Sequence, residues 1–516
     1  MPYYQEKKKT DLRIVRDRIR SKIYNPLTDL HVTAWTTKEP VSYSQRRSGK
    51  KIPMKIGKKW GDLFDCAWFH FTGVVPKTGA GKAIVLLIDV NGEGCVYDAK
   101  GNPIQGLTTV NSHYDFELGL PGKRVVEFRR RARGGEKVDL WVDAGCNDLF
   151  GRMTENGTLR QACIAELNPE LRSLYYDVEV LYELMTELPE DSARRNEILF
   201  RLEEMAHLVR NYTEIEARTA REILAPALEK KNGDVSLRIS AVGHAHMDLG
   251  WLWPIRETIR KGARTFSTVL DLMEKYPDFV FGASQPQLYQ WMKDRYPSLY
   301  KKIKKRVAER RIEPQGAMWA EADTNVPSGE SLVRQILYGK RFFRDEFGWE
   351  TKTLWLPDVF GYSGALPQLM KKSGMDFFMT QKLSWNQFNQ HPHDTFLWEG
   401  IDGSRILTHM PPEDTYNSSA APRAIRKAER RFLDKGVSDR CLLVFGIGDG
   451  GGGPGTEHLE RLQREKDLDG LAPVIQEPAV DFFERIAKDS GKYQVWSGEL
   501  YLERHQGTYT TQARNK

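Results

Sequence analysis

The run HAHMDLGWLW places His244, His246 and Asp248 directly after the apolar stretch LRISAVG. An imidazole and a carboxylate two residues apart at a strand end can aim a ring nitrogen and an oxygen at one divalent ion, a donor set that Zn²⁺ accepts. A histidine satisfied by core hydrogen bonds is the competing role, and two histidines with an aspartate at one strand end favour the metal. A second carboxylate, Asp358, closes the stretch TLWLP and precedes Gly361, Ser363 and Gly364. That position suits a nucleophile or a ligand, and equally a cap for the helix LPQLMKK that follows. Asp449 ends the stretch CLLVFGIG and opens onto four consecutive glycines. Such a loop lets backbone approach a ligand closely. A phosphate loop is the rival, but no Lys-Ser/Thr pair follows and Pro454 interrupts the run.

Other polar and aromatic residues fall at similar places: Gln285 and Gln287, Glu321 and Asp323, Trp385 and Asn386. Flat aromatic faces for C–H groups and paired acceptors for hydroxyls are what sugar recognition needs. No one of these residues is specific. Their repetition at successive strand ends favours a carbohydrate site.

The elements that must position these groups follow from periodicity. From 237 onward, short apolar runs (LRISAVG, FVFGAS, IEPQGAMW, TLWLP, DFFMTQ, RILTHM, CLLVFGIG) alternate with helical stretches such as TFSTVLDLMEKY and SLVRQILYGKRFFRDEF. That order predicts a parallel α/β barrel or sheet, whose ligands collect at the carboxyl ends of the strands. Upstream, AWFHFTGVVP, AIVLLIDV, VVEFRR and KVDLWVDAG lie between turn clusters and predict a β-sandwich. Its Trp35, Trp60, Trp68 and Trp141 could line a sugar groove, although core packing is the commoner fate of such rings. Between the two regions, Leu171, Leu174, Val178, Leu181 and Met185, then Ile198, Leu202, Met205 and Val209, recur at helical spacing and predict a helical pair. The resulting organisation is multidomain: a β-sandwich over 1–165, a helical linker over 166–232, an α/β barrel over 233–456, and the start of a helical domain over 457–516.

Composition bounds the function classes. The 516 residues are 40% hydrophobic and 28% charged, which is globular rather than disordered. A net charge of +7 is small against 77 basic and 70 acidic residues, and the run KKIKKR at 301–306 continues at helical spacing as a solvated face. No nucleic-acid-binding signature accompanies it. The charged start MPYYQEKKKTDLRIVRDRIR lacks the apolar core of a secretory signal, and no segment reaches the ~18 apolar residues of a membrane span. Five scattered cysteines without a C-x-x-C pair indicate neither disulfides nor a thiolate zinc site. A cytoplasmic protein is expected, with no nucleic-acid or membrane partner and with a homo-oligomer possible.

In order along the chain, HAHMDLGW, QPQLYQWMK, GAMWAEADTNVPSGESLVRQ, LWLPDVFGYSGALPQ, WEGIDGSRIL and GDGGGGP resemble the catalytic domain of glycoside hydrolase family 38, the α-mannosidases. The β-rich region before them and GELYLERHQGTYTTQ after them resemble the bacterial and cytosolic or vacuolar branch of that family. The resemblance implies a twisted α/β barrel and a retaining α-mannosidase acting on terminal α-linked mannose. Its divalent metal, zinc or else cobalt or another ion, would be held by His246, Asp248 and Asp358. Asp358 is also the implied nucleophile, Trp251 the indole against the bound sugar, and Glu321, Asp323 and Trp385 further substrate contacts. Retention needs a second carboxyl about 5–5.5 Å from the nucleophile. Asp449, beside apolar strand residues, is the first candidate for that acid/base.

Three positions depart from the Golgi and lysosomal branch: Val359 replaces proline, Tyr362 replaces histidine, and Asp449-Gly450 replaces two adjacent aspartates. The family's fourth metal ligand, a histidine within an Asn-x-Phe-His-Asp type of sequence, has no counterpart. A truncated chain is therefore expected, with that ligand beyond Lys516 and with His458 and His505 as the alternatives within it. Two rival classes remain at this point: a metal-water hydrolase of the amidohydrolase or polysaccharide deacetylase kind, and a nonenzymatic carbohydrate-binding protein. Asp358 discriminates the first, because a nucleophilic carboxylate implies a covalent intermediate and metal-activated water does not.

Overall fold

The computed structural model describes residues 2–108, 123–151 and 156–506. Strand alternation in the first region builds two main antiparallel sheets and a short pair of Lys59–Gly61 with Gly157–Thr158. The larger runs in the order Lys50–Met54, His31–Thr37, Cys66–Val74, Lys137–Gly145, Glu93–Tyr97 and Pro103–Thr108, and the smaller in the order Tyr24–Asp29, Gln161–Leu167, Ala83–Asp89 and Val125–Arg129. Period-two side chains such as Ala34, Phe69, Phe71, Val142, Leu86 and Ile164 fill the space between them. Trp60 joins this core, whereas Trp35, Trp68 and Trp141 pack together with Cys95 and Tyr97 in a separate cluster. A strap covers that cluster: Val41 accepts from the Trp68 indole at 3.0 Å, and the Arg46 guanidinium lies 4.7 Å from the Trp141 ring. These rings are packed, not laid open as a sugar groove.

The linker contains three helices, Pro169–Glu187, Ala193–Leu208 and Glu214–Leu228, each with a side-chain cap from Asn168, Ser192 or Thr213. The two apolar stripes read from the sequence are buried. The third helix, and an N-terminal helix Pro2–Ser21 whose Leu12 and Ile19 join the same core, were not anticipated, because charge dilutes their apolar spacing.

The second region is α/β, with two five-stranded sheets. In the first, Ile312–Pro314, Phe281–Ala283, Arg238–His244 and Arg440–Phe445 run parallel, and Val474–Gln476 pairs with the same central strand. In the second, Thr353–Trp355, Phe377–Met379, Arg405–His409, Thr395–Glu399 and Val495–Ser497 are joined in that order, with one antiparallel pair. Val242, Leu442 and Val444 of the first sheet pack against Trp355, Phe377, Met379 and Leu407 of the second. Residues 474–476 and 495–497, which the sequence reading placed in a separate helical domain, thus belong to these sheets. Among the described residues, no helix is long and apolar enough to cross a membrane.

Buried charge joins the two regions. Arg260, on the helix Ile255–Lys275, donates to both oxygens of Asp143 at 3.1 and 2.5 Å and to Glu257 at 2.6 Å, with Arg260 and Asp143 only 4% and 7% exposed. Arg260→Met is expected to destabilise the protein by about 3–5 kcal/mol, because it leaves the Asp143 carboxylate buried without its cation. Denaturant unfolding measures this. A loss below ~1 kcal/mol would show that other groups or solvent neutralise Asp143.

Candidate metal centre

The central strand Arg238–His244 is buried from Ile239 onward and delivers His246 and Asp248 immediately beyond its carboxyl end. Asp358 follows the strand Thr353–Trp355 at the equivalent edge of the second sheet. Among the described residues, one group of metal-binding side chains comes together: His246, Asp248 and Asp358, with ligand atoms all within 4.8 Å of one another. His246 Nε2 lies 3.6 Å from Asp248 Oδ1 and 3.7 Å from Asp358 Oδ2. Donors each ~2.0–2.2 Å from one tetrahedral ion stand ~3.3–3.6 Å apart, close to these separations. His246 is 3% exposed, and its Nε2 is buried without a hydrogen-bond partner while facing two carboxylates. An imidazole placed this way suits a cation, and the group could hold a metal ion.

The other expected site residues take distinct places. Glu321 was expected to meet substrate. It lines the cleft, its Oε2 faces His246 Nδ1 at 3.1 Å and its Oε1 accepts from the Asp358 backbone at 2.7 Å, so it also braces two members of the cluster. Asp323 Oδ1 accepts from Asn325 N at 2.8 Å, and its buried Oδ2 has no partner. Trp251 is 45% exposed and meets Trp253 edge to face. The Trp385 ring carries the Lys382 ammonium 3.9 Å from its centroid. A cleft of about 340 Å³ is lined by His246, Asp248, Gln285, Glu321, Asp323 and Asp358, among others.

Asp449 stands outside that lining and is 6% exposed. Its Oδ1 accepts from the Tyr416 hydroxyl at 2.8 Å, and its backbone oxygen accepts from Asp248 N at 2.8 Å. Burial, resisted by the His246 charge, raises its carboxyl above the usual range. The residue has φ +63°, a left-handed conformation that aspartate tolerates at about 1 kcal/mol. His244, next to this group, is held down at about 3 by burial and by the charge of His246. The alternatives for a fourth ligand separate: His458 is fully buried and accepts from Gly455 N, whereas His505 reaches the wall of the site, 4.7 Å from the Phe360 ring.

Sequence reasoning passed over Lys382. Its Nζ donates to Asp358 Oδ1 at 2.5 Å, and its side chain is 4% exposed. The available signal was its place after the apolar run DFFMTQ, the same strand-end rule that found the aspartates.

The chain thus joins a β-sandwich to an α/β unit that carries a His-Asp-Asp cluster at its strand ends. The chain belongs to glycosyl hydrolase family 38: the model described as "Glycosyl hydrolases family 38 N-terminal domain" matches residues 236–499, and "Alpha-mannosidase, jelly roll domain" matches 26–203. It is 36% identical to Alpha-mannosidase 2C1 of Mus musculus, over 96% of this chain and 48% of that protein. It is 37% identical to Alpha-mannosidase G of Dictyostelium discoideum (93% and 44%) and 32% identical to Alpha-mannosidase of Saccharomyces cerevisiae (92% and 47%). The chain spans about half the length of these curated relatives.

Proposed function

We propose that the chain carries the catalytic centre of a retaining α-mannosidase that removes terminal α-linked mannose from oligosaccharides or glycans. The observation that carries this is the His246, Asp248 and Asp358 group at the strand ends of a family 38 domain. Its relatives named alpha-mannosidase support the substrate class. The two sheets are read as halves of an interrupted barrel. The five cysteines, all buried as free thiols, support the cytoplasmic reading.

His246, Asp248 and Asp358 would hold a divalent ion, and two carboxylates with an imidazole suit zinc, with cobalt or another ion as alternatives. Glu321, opposite His246 Nδ1, selects Nε2 as the ligand atom. A bound ion would supply positive charge beside Asp358. From the other side the Lys382 ammonium donates to Oδ1 and fixes the rotamer of the carboxylate. An Asp358 oxygen then attacks the anomeric carbon, and the bond from that carbon to the leaving oxygen breaks. That oxygen takes a proton from a carboxylic acid, assigned to Asp449. Water, losing its proton to the same group, attacks the anomeric carbon of the mannosyl-aspartate from the face the leaving group vacated, the bond to the Asp358 oxygen breaks to return the carboxylate, and configuration is retained. A raised carboxyl is what the acid role needs. Trp251 offers an exposed indole to the sugar's C–H face. One observation favours a second acid: Asp323 lines the cleft with an unpartnered oxygen.

Metal analysis together with hydrolysis of an aryl α-mannoside tests the assignment. One divalent ion per chain and loss of activity with chelator are expected; turnover unchanged in metal-free protein would refute it. Proton release gives a separate check. In the metal-free site burial opposes a charged His246, but Glu321 and Asp248 outweigh it and hold the imidazole well above its ordinary range. The stability of that ion pair is therefore fully present below about pH 6.5 and lost as pH rises through the raised value. A metal ion must displace this proton, so Zn²⁺ uptake at pH 7 is expected to release about one proton. Calorimetric titration in two buffers of different ionisation enthalpy measures it, and identical heats would show that His246 carries no proton for the ion to displace.

A further inference from the structure

Resting on the metal reading above, we infer that residues 146–150 of the N-terminal jelly roll, with Lys123, form a hook that positions the metal ligands through the glycine loop 446–453. Within the second region this loop is tied from Gly446 N to Ser418 O and from Gly452 N to Thr265 Oγ1, and little holds it internally. Gly446, Asp449, Gly451, Gly452 and Gly453 all have left-handed φ, and the loop's own backbone bonds are those between Ile447 and Gly453 and from Gly450 N to Gly448 O. Yet it fixes the ligand strand end: Asp449 O accepts from Asp248 N at 2.8 Å, Gly451 N donates to His246 O at 3.3 Å, and Met247 bridges to Gly450. Where the loop moves, His246 and Asp248 move with it.

The jelly roll backs much of the loop's opposite side. Leu149, Phe150 and Ile447, each 2% exposed or less, form one apolar cluster. Gly450 sits so close to the Leu149 carbonyl that a Cβ there would lie 2.2 Å from its oxygen, and one at Gly452 would lie 3.2 Å from Leu149 Cδ1. Lys123 Nζ donates to the carbonyls of Gly452 and Gly453. The hook is itself pinned to the helix Ile255–Lys275: fully buried Lys261 donates to Asp148 O at 2.7 Å, and Asn147 donates to Glu257 at 3.1 Å. Both domains therefore build one centre, although the ligand atoms all come from the second.

Residues that hold ligands without touching the ion change metal affinity by about 10–100-fold. The test titrates Zn²⁺ alone against a chromophoric chelator for the full chain, Leu149→Ala, Lys123→Met, and the conservative Leu149→Ile and Lys123→Arg. Leu86→Ala, in the sandwich core away from the loop, is the control for general loss of stability. Affinity about tenfold weaker in Leu149→Ala and Lys123→Met is expected. It should come with faster amide exchange over 446–453, recovery in the conservative variants and a change under twofold in the control. Equal weakening in Leu86→Ala, or unchanged exchange over 446–453 in both hook variants, would overturn the inference. If the unaltered chain takes up no Zn²⁺, the metal reading fails, and exchange over 446–453 alone decides the hook.

Discussion

Asp358→Ala is expected to lower aryl α-mannoside hydrolysis by about 10⁴-fold or more while the protein stays folded. The size follows from what the side chain does in the proposed mechanism: it is the atom that attacks, and its other oxygen faces His246 in the metal group. Removing it also takes the carboxylate partner from Lys382, whose ammonium then lies against the ring faces of Trp385 and Phe360. The Lys382→Met exchange in the same background should then recover stability without recovering activity. Circular dichroism and thermal unfolding establish the fold, and trapping with a fluorinated mannosyl donor followed by peptide mass measurement identifies the labelled residue. Hydrolysis within tenfold of the unaltered chain, or a label on a residue other than Asp358, would remove the nucleophile assignment.

What was legible in the sequence was what local order determines. A buried parallel strand is a continuous apolar run, so LRISAVG and CLLVFGIG mark their own carboxyl ends, and the residues there are the ones that face a cleft. His244, His246, Asp248, Asp358 and Asp449 were marked as candidates that way, and the family resemblance narrowed the ligand set to His246, Asp248 and Asp358. Glu321 and Lys382 were not assigned their bracing roles, because they reach Asp358 from 37 and 24 residues away, across different strands, and no periodicity records such a meeting. For the same reason the cation over Trp385, expected as a substrate contact, could not be foreseen. The strands Val474–Gln476 and Val495–Ser497 are too short to show a period, so the second region was ended too early. The hook from the jelly roll was invisible for a more general reason. Its contacts join loops whose compositions signal only that they are loops.

The acid/base is the assignment that most needs a direct experiment, and Asp449→Ala and Asp323→Ala separate the two candidates. Protonation matters most for a poor leaving group, and general acid catalysis contributes typically 10²–10⁴-fold. Asp449→Ala is therefore expected to slow hydrolysis of a phenyl α-mannoside by about 10³-fold. The first step with a dinitrophenyl mannoside, which departs unprotonated, should change little. With that donor the covalent mannosyl-aspartate accumulates, because the base that activates water is gone. Azide needs no base, so its addition should restore turnover and give α-mannosyl azide, the retained configuration. The structure adds a constraint: the Asp449 carboxyl is bonded to Tyr416 and lies outside the cleft lining, so its arrival at a leaving oxygen requires its side chain to turn from that hydroxyl. Tyr416→Phe should then leave the acid step intact while loosening the ground-state position of Asp449. Rescue by azide in Asp323→Ala and not in Asp449→Ala would transfer the role to Asp323, the carboxylate already lining the cleft with an unpartnered oxygen. A β-configured azide from either variant would instead contradict the double displacement on Asp358.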